Sequence, residues 1–307
     1  MDIPKIIFVV GPTAVGKTEV GFLLAQKLNA EIISCDAMQV YKEISIVNNK
    51  PPARMLAQVR HHLIDLVSVT EEFDVMTFNQ KANNAIKAIH TQKKILVIIG
   101  GSGLYMNVLL DGLFEGVAKD LSLRKELAAM AEERGNEVLF KRLTQLDPPA
   151  AQKIHPHDSK RIIRALEVVM LTGQPISQLQ KKREGIWGKF DIKLFALNKN
   201  RPDLYHAIDR RVDAMFDQGL IEEISNLKDR EWSLTAQRII GVSEIFGFLQ
   251  NKYSLEESKE LMKRHTRQYA KRQLTWFRKE KRLEWIMIGA NDTIEQIMQM
   301  IMKRIKN

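Results

Sequence analysis

A chain of 307 residues, 45% apolar and 27% charged, has material for a substantial core in one large domain or two ordinary ones. One cysteine, Cys35, excludes intrachain disulfides and fits a reducing cytosol, and no apolar run reaches membrane-spanning length. The net charge of +10 is uneven: residues 263–282 hold nine Lys and Arg against one Glu, which suggests a polyanionic partner or, more plainly, a solvated helix face.

In chain order, Ile6–Val10 is a short apolar run that reads as a buried strand. It leads into Gly11-Pro12-Thr13-Ala14-Val15-Gly16-Lys17-Thr18 and then into the amphipathic stretch Glu19–Leu28. Strand, glycine-rich loop and helix are the setting that a G-x-x-x-x-G-K-[ST] loop requires. Backbone N–H groups at the helix N-terminus face an anion, Lys17 adds a point charge, and Thr18 offers a hydroxyl to Mg²⁺. The loop predicts a polyphosphate without saying which.

Glu31–Ser34 reads as the second strand, followed by Ser34-Cys35-Asp36-Ala37-Met38-Gln39-Val40-Tyr41. Sites in open α/β sheets form at the carboxyl ends of strands, which puts Asp36 near the phosphate loop. A carboxylate there accepts a proton, helps hold Mg²⁺, or simply forms a turn. Cys35 beside it reads as a small buried residue in the wall of a site. Met38, Gln39 and Tyr41 supply stacking surface and an amide, which suit a nucleobase. His61-His62 and His155-Pro156-His157 lack cysteine or carboxylate partners at a zinc spacing, and zinc is rejected.

The helical pattern Phe78–His90 precedes a third strand, Ile95–Ile99, which ends in Gly100-Gly101-Ser102-Gly103-Leu104-Tyr105. Glycines there point to close backbone approach by a ligand, or to a tight turn. The absence of an acid at this strand end argues against routine NTP hydrolysis. Strands alternating with helices predict a mostly parallel sheet covered on both faces.

From about Val117 to Lys189 the pattern becomes helical, with apolar recurrence near 3.6 over Leu121–Arg134, Glu137–Gln145 and Ser159–Leu171. Pro148-Pro149 separates the second from the third, and Gly173 reads as a C-cap. The expected organisation is therefore an α/β core over 1–116 and 190–307, with an all-helical insertion over 117–189. Strand patterns resume at Lys193–Leu197 and Trp285–Ile288, with helices between them. Arg210 and Arg211 fall on different faces of a helix beginning at Arg201, so at least one can turn toward the phosphates. Arg264, Lys271 and Arg278 recur every seven residues on one helix face, beside Tyr269, Trp276 and Phe277, a pattern suited to a nucleic-acid backbone. Trp276 equally suits a core position.

Taken together, GPTAVGKT (11–18), SCDAMQVYK (34–42), HHLID (61–65), GGSGLY (100–105), RIIRALEV (161–168), QRIIG (237–241) and TRQYAKRQLTWFRK (266–279) resemble the tRNA dimethylallyltransferases, also called tRNA isopentenyltransferases. The resemblance spans nearly the whole chain. It implies a P-loop NTPase-like α/β fold, and a helical insertion that clasps the anticodon stem. The implied reaction moves a dimethylallyl group from dimethylallyl diphosphate to N6 of the adenosine directly 3′ of the anticodon (tRNA position 37), in tRNAs reading codons that begin with U. By resemblance Mg²⁺ is used, with Thr18 as its protein ligand.

Residue by residue, the resemblance assigns the diphosphate to Gly11, Pro12, Thr13, Ala14, Val15, Gly16, Lys17 and Thr18. Asp36 takes the amine proton, Ser102 stands where a Thr positions the adenine, and Arg211 is the choice for the diphosphate-facing arginine. Contacts to tRNA fall on Asp36, Ala37, Met38, Gln39, Ser102, Arg124, Lys160, Arg161, Ile162, Ile163, Arg164, Arg238, Ile239, Ile240, Gly241, Val242 and Ser243. The implied protein is a cytoplasmic monomer with no membrane association.

This sequence departs from the family's pattern in places. Ser is usual at Ala37, Arg at Ala207, and Asp-Ile-Gly-Thr-Ala-Lys-Pro where Ser45-Ile46-Val47-Asn48-Asn49-Lys50-Pro51 stands. Two rival readings are a small-molecule or nucleoside kinase and a non-catalytic RNA-binding protein. The first does not account for the basic-aromatic helix, and the second does not account for the intact Lys17, Thr18 and Asp36.

Overall fold

A computed structural model describes residues 5–114 and 120–306. Six strands, β1 (Ile6–Val10), β2 (Glu31–Ser34), β3 (His61–His62), β4 (Leu96–Gly100), β5 (Ile192–Lys199) and β6 (Glu284–Ile288), form one sheet in the order β3-β2-β4-β1-β5-β6. Every pairing is parallel. The expected α/β fold with a phosphate-binding loop is therefore present. β1, β2 and β4 are buried at every position, which is why they read as continuous apolar runs rather than alternating ones. Sequence reading misses β3, because two residues carry no periodicity.

Parallel pairing aligns the carboxyl ends of the strands. Val10 pairs with Gly100 and with Ala196, and Ser34 pairs with Ile99. The loop after β1, the segment after β2 and the turn after β4 thus leave the sheet at one edge. Helices Lys17–Leu28, Val75–Thr91, Arg201–Asp217 and Leu255–Phe277 are among those linking the strands. Ile7, Val9, Val97, Phe195 and Leu197 pack with Leu204, Ile208 and Ile301 to form the main core.

The chain divides into two compact units, Met1–Leu109 with Trp187–Asn307, and Leu110–Ile186. The boundary expected near residue 117 lies outside the described residues. The second unit, as far as it is described, is helical: Leu121–Arg134, Asn136–Leu146 and Ser159–Thr172 enclose Leu127, Leu143, Ile162 and Leu166. Pro148-Pro149 does more than separate two helices. Both prolines lie in a one-turn helix, Pro148–Ala151, whose N-cap Asp147 accepts from the Ala150 N–H at 3.1 Å. Gly173 ends the third helix with φ of 69°.

Candidate active site

The site begins with the turn after β1. Gly11 has φ of 141°, and a Cβ there would meet the Leu197 carbonyl oxygen at 2.3 Å, so only glycine lets β1 leave the sheet beside β5. Gly16 (φ 87°) delivers the chain into helix Lys17–Leu28. Val15 is 1% exposed and packs in the core, which leaves only its backbone for an anion. Lys17 Nζ donates to the Pro12 carbonyl at 2.7 Å. Burial, and secondarily the nearby Arg211 guanidinium, lower the Lys17 ammonium to about 8, against the opposing pull of Asp36 and Glu19.

The diphosphate-facing arginine expected from sequence reaches this loop. Arg211 donates from its guanidinium to Thr13 Oγ1 at 2.7 Å, whereas Arg210 is exposed. Burial lowers the Arg211 pKa, and Asp36 counters that effect. The Thr13 N–H is already engaged, donating to Gln273 Oε1 at 2.9 Å, while Gln273 Nε2 donates to the Gly101 carbonyl at 2.9 Å. One buried carboxamide on the basic helix therefore ties the phosphate loop to the turn after β4. Residue-by-residue assignment misses Gln273. Its signal is a polar residue in the buried stripe Met262, Thr266, Ala270, Gln273, Phe277.

Asp36 follows β2. Its Oδ1 accepts from the Met38 N–H at 2.9 Å, the turn-forming role weighed above, and no bond to Oδ2 is found among the described residues. Gln39 is fixed at both ends of its amide, accepting from Ser34 Oγ at 2.8 Å and donating to the Asn49 carbonyl at 3.1 Å. Ala37 lies half-buried between Asp36 and Met38.

The glycines after β4 are crowded by protein, and Gly100 and Gly101 also line the cleft described below. A Cβ at Gly100 would strike the Cys35 backbone at 2.0 Å, one at Gly101 would meet Gln273 Nε2 at 2.3 Å, and one at Gly103 would meet the Trp276 ring at 2.2 Å. Ser102 is half-buried; its N–H donates to the Cys35 carbonyl at 3.3 Å, and its Oγ accepts from the Tyr105 N–H at 3.4 Å, at the start of helix Gly103–Asp111.

These elements enclose a cleft of about 290 Å³ whose wall includes Thr13, Lys17, Thr18, Asp36, Met38, Gln39 and Arg211. Arg238, Ile239 and Ile240 line it, together with Tyr269 and Arg272 from the basic helix. Burial raises the Tyr269 phenol, and Asp36 adds to that effect. Gly241 instead serves the backbone (φ 108°), Val242 is fully buried, and exposed Ser243 donates to Glu244 at 2.9 Å. The side chain of Val242 therefore offers nothing to a ligand.

In the second unit, Arg124 donates from Nε and NH2 to the two carboxylate oxygens of Glu167, both at 2.8 Å, and Arg164 donates to the same carboxylate. Glu167 has no solvent exposure. Burial alone would raise its pKa, but the bonds from Arg124 and Arg164 outweigh that and bring the carboxyl down to about 2. Lys160 and Arg161 are exposed, and Ile163 is half-buried. Ile162 is fully buried in this unit's core, so its side chain is withdrawn from any RNA. His62 bonds Glu31 at 2.7 Å, a carboxylate also held by Lys94 at 2.7 Å, which accounts for that histidine structurally. No group of three or more His, Cys, Asp or Glu suited to a metal occurs among the described residues.

A parallel sheet with a glycine-rich loop after its first strand, and an arginine and a lysine at that loop, defines an α/β protein of the phosphate-loop class. The chain belongs to the IPP transferase family, whose model matches residues 39–280. It is 42% identical to the tRNA dimethylallyltransferase of Alkaliphilus oremlandii, over 98% of this chain and 97% of that protein. It is 40% identical to tRNA dimethylallyltransferase 2 of Geotalea uraniireducens, over 92% of each. Among solved structures, the tRNA isopentenylpyrophosphate transferase of Bacillus halodurans is 36% identical with a TM-score of 0.71, over 99% of this chain and 97% of that one. A eukaryotic dimethylallyltransferase, described as acting on tRNA, is 30% identical with a TM-score of 0.81, over 99% of this chain and 80% of that one.

Proposed function

We propose that this chain is a tRNA dimethylallyltransferase. It moves the dimethylallyl group of dimethylallyl diphosphate to N6 of the adenosine 3′ of the anticodon, at tRNA position 37, in tRNAs reading codons that begin with U. The observation that carries this reading is the single cleft lined by the phosphate loop, Arg211 and Asp36. A phosphate loop alone fits many reactions; a loop facing a carboxylate and an amide-bearing wall fits diphosphate departure beside a nucleobase.

The chemistry follows from charge. The allylic C–O bond breaks and negative charge builds on the diphosphate oxygens. The backbone N–H groups of residues 14–18, Lys17 and Arg211 stabilise it. The exocyclic amine forms the new C–N bond and gives up a proton, which Asp36 takes at Oδ2. Reaching a recessed donor requires the base to leave its stack, at a cost of a few kcal/mol. Met38, Gln39, Arg238, Ile239 and Ile240 then face it in the cleft. Ser102 supports the turn beside it rather than the cleft wall itself.

Mg²⁺ fits this donor set: Thr18 lies in the cleft wall beside Lys17, and Mg²⁺ commonly takes few protein ligands with phosphate oxygens and water completing its shell. When bound, the ion neutralises charge on the leaving diphosphate. Exposed Lys160 of the second unit suits RNA phosphates, and exposed Arg161 pairs with Asp158 at 3.4 Å, whereas Arg124 and Arg164 act largely through Glu167. No described helix is long and apolar enough to cross a membrane, and work on tRNA suits a cytoplasmic monomer.

The test is incubation of the protein with labelled dimethylallyl diphosphate and unmodified tRNA. Label is expected on one adenosine, with diphosphate released. ATP turnover on a small acceptor, without label transfer, would favour the kinase reading instead.

A further inference from the structure

The segment where this chain departs from its family, Ser45–Asn49, forms part of the cleft wall through Val47, Asn48 and Asn49. It has no regular secondary structure, so its backbone donors need partners. Glu223, on helix Leu220–Ser225, supplies them. Its Oε1 accepts from the Ser45 N–H at 2.6 Å, the Ile46 N–H at 2.8 Å and Ser45 Oγ at 3.2 Å, and its Oε2 accepts from the Val47 N–H at 2.9 Å. Three consecutive backbone donors thus converge on one carboxylate.

The clamped segment in turn holds the strap after β2. Asn48 Nδ2 donates to the Met38 carbonyl at 2.6 Å, and the Asn49 carbonyl accepts from Gln39 Nε2 at 3.1 Å. Asn48 is 7% exposed, and its Oδ1 is buried without a partner. Its amide orientation is therefore set by Met38 alone. Asn49 adopts φ of 47°, a left-handed conformation that asparagine takes readily in turns.

We propose that Glu223 is a positioning residue for the acceptor half of the site: by gathering the N–H groups of Ser45, Ile46 and Val47, it sets the loop that fixes Met38 and Gln39 beside Asp36. The inference rests on the reading of the cleft as a transferase site. Glu223 touches no reacting atom. It makes no contact with the phosphate loop among the described residues, so the two halves of the site depend on it unequally. A glutamine cannot replace it: one carboxamide face presents N–H groups where Val47 or Ser45 also presents a donor.

The test compares wild type with Glu223→Ala and Glu223→Gln. Three quantities are read: hydrogen exchange of the 45–47 amides, binding of inorganic diphosphate, and single-turnover transfer to an anticodon stem-loop RNA. Both variants are expected to expose the 45–47 amides to faster exchange and to bind diphosphate within about twofold of wild type. Their transfer rate constant is expected to fall about tenfold or more at full amplitude, because misplacing a reacting group costs rate rather than active enzyme. A loss of amplitude with an unchanged rate constant, or a parallel loss of diphosphate binding, would make Glu223 a general scaffold residue and overturn the proposal. Unchanged transfer in folded variants would do the same. If wild type itself transfers nothing to the RNA, the transferase reading fails first, and the exchange data still report whether the clamp exists.

Discussion

Lys17 is the residue whose chemistry the site alters most usefully. Burial and the neighbouring guanidinium hold its ammonium at about 8, below the ordinary 10.5, so half of its positive charge is lost at about pH 8. A bound anion favours the charged form and takes up a proton with it. Affinity for diphosphate should therefore hold below pH 8 and weaken above it. In Lys17→Arg the guanidinium stays charged, so the ratio of wild-type to variant affinity is expected to fall as pH rises from 7 to 9.5. Calorimetric titrations at matched ionic strength check this, and a flat ratio would contradict it. The importance of Lys17 is legible in the motif, but its depressed pKa is not. That depends first on burial of the ammonium in the fold, and second on Arg211, 194 positions away in sequence, reaching Thr13 beside it.

Among the elements, the helices of the second unit show why charge is hard to read from a string of residues. Arg124 and Arg164 look like RNA contacts in the sequence. In the fold they converge on Glu167, which sits among apolar residues at helical spacing and gives no sign of being an anchor. Glu167→Gln leaves two guanidiniums around an uncharged amide, at an expected cost of about 3 kcal/mol to this unit. The sign is fixed by the lowered pKa. The carboxylate's contribution is fully present above the ordinary value of 4.5 and is lost as pH falls through about 2. Urea denaturation at pH 7 and pH 3 checks this, with a smaller gap between wild type and variant expected at the lower pH. The long strands and helices were legible because burial imposes their periodicity. Two-residue β3, the turn Pro148–Ala151 and the Glu223 clamp were not, since each depends on a distant partner or is too short to show a period.

The molecule as a whole has to bring together two substrates of very different size in the proposed reaction. The RNA needs an electrostatic surface, and the basic helix Leu255–Phe277 offers one only in part. Arg267 is held by Asp209, and Lys259 and Lys263 are held by Asp213, whereas no ion pair among the described residues engages exposed Arg264, Lys271 or Arg278. Replacing those three by Gln is expected to weaken tRNA binding and flatten its salt dependence, and an unchanged slope in a salt titration would remove them from the phosphate interface. Small-molecule binding at the phosphate loop should not change. In the proposed reaction the two substrates meet at Asp36, which bonds its own turn through Oδ1 and leaves Oδ2 to take the acceptor's proton. The most direct measurement is therefore single-turnover transfer by Asp36→Ala with both substrates bound. Diphosphate and RNA affinities close to wild type, with the transfer rate constant lowered by about a hundredfold or more, are the expected result. Transfer at the wild-type rate would contradict the account.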